Sequence, residues 1–200
     1  MNVRIAQLFT FNAGSWYDNS LEMTEYTVKL WMVTQTYNPL EQNIAISRAR
    51  HFIFDQLENT IFINAEDHTK CAEFSRAGLD ITSLPGEPAD QLIGIMLFHK
   101  LNAIMEERIK LIEIEISSGH GVIYLHGENE TSEDLIQPDW WLDSDLTHCD
   151  FNLVESEKIL SIPQTNAWRE FGLSWPDLPA DNATGNIVVF ADFKQPDDTK

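Results

Sequence analysis

Residues 88–117 read PADQLIGIMLFHKLNAIMEERIKLIEIEIS, and the fold turns on how this stretch is parsed. Pro88 suits a first helical turn, and Leu92, Ile95, Met96, Leu101, Met105 and Ile109 recur at helical spacing, so the pattern predicts a helix from 88 to at least 110. At roughly 1.5 Å per residue such a helix exceeds about 30 Å and crosses a small domain, which makes it the central packing element. Past Lys110 two periods compete. Ile112, Ile114 and Ile116 alternate as in a strand, while Leu101, Met105, Ile109, Ile112 and Ile116 prolong the helical stripe, and periodicity leaves both open.

Outward from this core the signals alternate between strand and helix. Val3 to Phe11 and Glu25 to Thr36 read as strands, with Gly14, Asp18 and Asn19 marking a loop over residues 12–20. Asn38-Pro39-Leu40-Glu41 is a helix start with a capping residue, a first-turn proline and a reciprocal acid. The predicted helix runs to about Glu58, buries Ile46, Ala49, Ile53 and Leu57, and turns Arg48 and Arg50 mainly outward. Thr60 to Ile63 reads as a short strand, Asp67 as the cap of a second helix and Gly78 as its stop, with a further strand over 80–84. Residues 121–126 form a strand on either parsing, 151–154 carry a weaker strand signal, and Ile187 to Phe193 read as a final strand. The expected architecture is a single α+β domain over 1–194. A mixed β-sheet packs against the long helix and one or two others, residues 127–185 form an irregular acidic segment, and 195–200 form a frayed tail.

The chain has 200 residues with 43% apolar side chains, enough for a real core. Thirteen basic against 32 acidic residues give a net charge of −19, which disfavours direct binding to nucleic acid or an anionic membrane. No apolar run reaches membrane-spanning length and no signal-peptide pattern opens the sequence, so a soluble, cytoplasmic protein is expected. Two cysteines, Cys71 and Cys149, read as free thiols.

The charge is polarised. Nine basic residues face fourteen acidic ones through Lys110, but beyond it four face eighteen, and between Lys110 and Lys158 there is no Lys or Arg among twelve carboxylates. Within that stretch lie Asp139, Trp140, Trp141, Asp143 and Asp145, followed later by Trp168, Phe171 and Trp175. Acids without internal counterions raise one another's proton affinity, a cost that a basic partner relieves, and neighbouring indoles supply contact area. The resulting expectation is a non-enzymatic interaction protein in which Asp139, Trp140, Trp141, Asp143 and Asp145 dock on a basic surface of a nucleic-acid-handling protein. In composition the chain resembles the acidic nucleic-acid mimics and small inhibitors of phages and mobile elements. The alternative is a self-associating subunit of a larger, possibly viral, assembly.

Motifs for other chemistry are sparse. His68 with Cys71 is at most half a zinc site, adjacent His148 and Cys149 diverge, and His120 and His126 lie about 20 Å apart if extended. Asp143-Ser144-Asp145 with Asp150 lacks the glycine and glutamate of a calcium loop. Asp67, with Glu106 or Glu107, could serve a magnesium-dependent hydrolase, although an Asp at a helix start is an ordinary cap. No nucleophile elbow, phosphate loop or dinucleotide fingerprint occurs, and neither cofactor nor metal is expected.

Overall fold

The computed structural model describes residues 3–119, 121–130, 139–146 and 167–176. Its sheet grows from one long hairpin. β1 (Arg4–Tyr17) and β2 (Ser20–Thr34) pair antiparallel in continuous register, from Arg4 opposite Val33 to Tyr17 opposite Ser20. Asp18 and Asn19 close it at φ 49° and 58°, as a two-residue turn between twisted strands requires. The loop expected over 12–20 is therefore strand plus tight turn. Gly14 sits inside β1 for steric reasons: a Cβ there would lie 3.0 Å from Leu21 Cδ1, 3.1 Å from Met23 Sδ and 3.2 Å from Ile61 Cγ1.

α1 (Pro39–His51) starts as its sequence dictates, with the Asn38 side chain accepting from the Leu40 N–H at 3.0 Å. Glu41 bonds the Thr36 hydroxyl and the Asn38 side-chain amide instead of closing a capping box on the backbone. The helix does not continue to Glu58. It passes into one π-helical turn, Phe52–Gln56, which keeps Phe52, Ile53 and Leu57 in the core. Arg48, expected to point outward, is buried.

β3 (Ile61–Asn64), α2 (His68–Arg76) and β4 (Ile81–Leu84) form a parallel unit beside β1. Asp67 caps α2 through the Lys70 N–H, and Gly78 (φ 74°) follows its end, both as the sequence predicts. Trp16 stands on the sheet face opposite Phe11 and Ala13, where it meets Phe74 of α2 edge-on and donates its indole N–H to Asp67. β5 (Ile109–Ser117) pairs with β2 and β6 (Ile123–Gly127) with β5, both antiparallel. The six-stranded mixed sheet has the order β4-β3-β1-β2-β5-β6.

α3 (Asp90–Met105) is the central helix and buries residues on every side, but it is shorter than predicted. Glu106 and Glu107 adopt φ 46° and 60°, ending the helix and turning the chain into β5. The register of β5 against β2 breaks between Trp31 and Met32, so Ile112 is extra and the buried set runs Ile109, Leu111, Ile114, Ile116. Asn102 of α3 completes this bulge by accepting from the Leu111 N–H (2.9 Å) and donating to its carbonyl (3.2 Å). The shifted alternation is why the stretch also fits a helical stripe. Gly94 lets α3 lie close to the sheet: a Cβ there would meet Ile116 Cγ2 at 2.9 Å and the Tyr124 ring at 3.0 Å. Gly94→Ala is expected to cost about 1–3 kcal/mol through overpacking, read as a lower urea midpoint at unchanged m-value. Among the described residues no helix is long and apolar enough to cross a membrane. The short strand signal at 151–154, the final strand expected at 187–193 and the tail at 195–200 lie outside the described residues.

Candidate functional site

The edge where α3 meets β6 brings together His99, His126 and Tyr124. Alternation in β6 turns Tyr124 and His126 toward α3, and Tyr124 packs over Gly94. His126 is 2% exposed. Its Nδ1 lies 3.2 Å from a Glu130 carboxylate oxygen and 3.4 Å from the Tyr124 hydroxyl. Glu130 is 54% exposed, so it links a sealed imidazole to solvent. Phe98 of α3 meets His126 edge-on at 4.9 Å, and the His99 ring lies 6.1 Å from that of His126. Burial, and next Glu130, raise the Tyr124 phenol above its usual range, keeping it protonated at neutrality.

A roof closes this cluster. The 3₁₀ turn Asp139–Leu142 and the residues after it lie on α3, with Trp141 fully buried and stacked on His99 at 6.2 Å and 26°. Lys100, completely buried, donates from Nζ to the carbonyls of Trp140 (3.3 Å), Asp143 (3.0 Å) and Asp145, and lies 5.5 Å from the Trp140 ring centre. Burial pushes the Lys100 amine down to about 8, opposed by the Asp143 and Asp145 carboxylates, so it carries its charge at neutral pH. Among the described residues, the buried indole N–H groups of Trp140 and Trp141 have no acceptor.

Burial, then the neighbouring His126, lower the His99 imidazole from its usual 6.5. Just below 6.5 the unfolded chain binds a proton that the folded chain refuses, so this contribution to stability is complete above 6.5 and lost as pH falls through the folded value. Denaturation midpoints are expected to drop between pH 7.5 and 5, with His99→Phe flattening the drop. An equally steep fall in the variant would assign it to another group.

A second seam adjoins the roof. Arg48 lies between the rings of Trp168 and Trp175 at 4.8 and 3.9 Å, donates to the carbonyls of Leu173 (2.8 Å) and Ile104 (3.2 Å), and pairs with Glu106 at 2.8 Å. The Trp175 indole also donates to Glu106, at 2.6 Å, and Trp168 donates to the Ser144 carbonyl at 2.8 Å. Residues 167–176 thus strap α1, α3 and the roof together.

The residues singled out in the sequence do come together here, in a different role. Trp141 is sealed, Trp140 is half-buried, and Asp143 and Asp145 give main-chain carbonyls to the chain's own Lys100. Asp139 begins the turn. Asp67 is occupied with its helix cap and Trp16, while Glu106 serves Arg48 and Trp175, so the pairing of Asp67 with Glu106 or Glu107 for a metal does not form. No group of three or more His, Cys, Asp or Glu among the described residues could hold a metal ion. Cys71 is buried, and His120, His148, Cys149 and Asp150 lie outside the described residues. Sequence reasoning missed His99, Lys100, Tyr124 and Glu130 and weighed His126 only against His120. The available signal was Lys100 itself, the lone charge between Asp90 and Glu106.

No family model matches the chain, and no curated protein matches it. Among solved structures it is similar to an uncharacterized protein from Wolinella succinogenes, at 13% identity over 64% of this chain and 99% of that one, with a TM-score of 0.47. It is similar also to 6-pyruvoyl tetrahydropterin synthase from Plasmodium vivax, at 10% identity over 65% and 99% of the chains and a TM-score of 0.45. The Plasmodium falciparum synthase gives 14% identity over 64% and 98%, with a TM-score of 0.37. The expectation of an acidic inhibitor or nucleic-acid mimic of phage type is corrected. Trp141 is sealed in the core and the main-chain carbonyls of Asp143 and Asp145 face the chain's own Lys100, while the Asp143 side chain stays exposed.

Proposed function

We propose that this chain is an enzyme that transfers protons on a small substrate at the α3–β6 edge. Tyr124 is the acid that meets the substrate, and His126 and Glu130 form its connection to solvent. The observation that carries this reading is the double contact of one ring nitrogen: His126 Nδ1 faces the Tyr124 hydroxyl at 3.4 Å and the Glu130 carboxylate at 3.2 Å. Starting from imidazolium, His126 passes its Nδ1 proton to the phenol oxygen as the phenol O–H passes to the substrate, leaving a neutral ring that keeps Nε2–H, and Glu130 then hands Nδ1 a proton taken from solvent. Run backwards, the same relay removes a substrate proton. The raised phenol keeps Tyr124 in its protonated form at neutrality, so the proton to be donated is in place, at the cost of acid strength.

The test uses deuterium. A 2-oxo acid, an aldehyde, a hydroxyketone and a lactam are each incubated with the full chain in D2O, and proton NMR follows loss of acidic C–H signals. At least one compound is expected to exchange faster than in buffer, with Tyr124→Phe and His126→Gln slowing that exchange by about 10²–10⁴-fold. No exchange above buffer across the panel, or undiminished exchange in Tyr124→Phe, would overturn the reading.

A further inference from the structure

We infer that Lys100 is the positioning residue of this site: its side chain works as a tethered cation that gathers the carbonyls of Trp140, Asp143 and Asp145 onto α3 and thereby sets Trp141 against His99. The stoichiometry fits, since an ammonium has three donors and no acceptor and here faces three carbonyl oxygens. Its place in the helix fits as well. Lys100 is surrounded along α3 by Leu97, Phe98, Leu101 and Ile104, all buried, so an apolar side chain would satisfy the helix's own packing, and the charge answers to the turn. The turn bonds within itself from the Asp143 N–H to the Trp140 carbonyl, at 3.2 Å, and is anchored from outside by Lys100 and by Trp168 on Ser144.

The charged groups around the clasp are consistent with it. Asp143 and Asp145 both favour the ammonium form, and Asp145 also acts on Arg48 from α1. On the other side stand His99 of α3, stacked on Trp141, and next to it His126 of β6. Removing the cation frees the turn, uncovers His99 and relaxes the aromatic wall of the relay. This inference rests on the proposed reading of the site, and its test reads the turn and the imidazole, not turnover, so either can fail without the other.

The experiment compares the full wild-type chain with Lys100→Ala, in which n-propylammonium can replace the missing carbons and nitrogen. Two signals are followed by NMR: the indole N–H resonances of Trp140 and Trp141, assigned through single Trp→Phe variants, and the titration of His99. Lys100→Ala is expected to collapse the two indole resonances toward solvent-exposed positions and to move the His99 midpoint up toward 6.5. Propylammonium is expected to restore both saturably, while tetramethylammonium at equal ionic strength does not. If Lys100→Ala unfolds, rescue is scored as recovered folding under the same two salts, and its absence counts against the clasp. Lys100→Met provides the second variant, because it keeps the stem without the charge. A folded Lys100→Met or Lys100→Ala chain with wild-type indole positions and an unmoved His99 midpoint would overturn the inference.

Discussion

Arg48→Met is expected to lower stability by about 3–5 kcal/mol, the cost of deleting a buried, hydrogen-bonded cation whose ion-pair partner Glu106 is only partly buried. Methionine keeps most of the stem's packing but leaves the Leu173 and Ile104 carbonyls without their donor, and removes the cation from between Trp168 and Trp175. Glu106 retains the Trp175 indole and Arg108, so the seam weakens without reversing. For a chain of this size the change corresponds to roughly 10 °C in Tm. Arg48→Lys keeps the charge but loses the planar fork, and an intermediate loss is expected. Urea titrations of the three proteins decide the matter: a loss under about 1 kcal/mol in Arg48→Met would mean that the strap contributes little.

Trp141→Ala is expected to be equally severe, about 3–5 kcal/mol, because a fully buried ring is replaced by a cavity under the roof. Trp141→Phe should cost much less. The indole N–H it removes has no acceptor, so its desolvation penalty of about 1–3 kcal/mol disappears with it. The spread between the two variants is therefore the informative quantity. Equal losses would show that the indole N–H, and not ring volume, anchors the turn.

Local structure was legible wherever one residue has a local job. Asn38 and Pro39 begin α1, Asp67 begins α2 and Gly78 ends it, because capping depends on neighbours in sequence. Legibility failed where partners are distant. Gly14 looks like a loop residue until Leu21, Met23 and Ile61 are seen to crowd it, and Ile112 hides a bulge because Asn102 is needed to complete it. Arg48 looks solvated at its helical phase, yet its acceptors come from Ile104, Glu106 and Leu173.

The site shows the same division. Trp140, Trp141, Asp143 and Asp145 stand out in the sequence by composition, but composition speaks for carboxylates and is silent about carbonyls. Nothing in Asp143 or Asp145 indicates that the main-chain oxygen faces inward. His126 was visible, but its partners Tyr124 and Glu130 look like ordinary strand and turn residues until β6 lies beside α3.

Arg48 and Leu173 touch across a separation of 125 residues. During synthesis, α1 and α3 emerge from the ribosome long before the tryptophans that cover their junction, so the guanidinium of the nascent chain can meet Ile104 and Glu106 but still lacks the Leu173 carbonyl and the flanking indoles. Sheet pairing can proceed in the meantime, since β1, β2, β5 and β6 are all complete by residue 127. Sealing of the α1–α3 junction is thereby deferred until residues 167–176 have been made, and a product stalled before them would leave that junction open to chaperones and proteases.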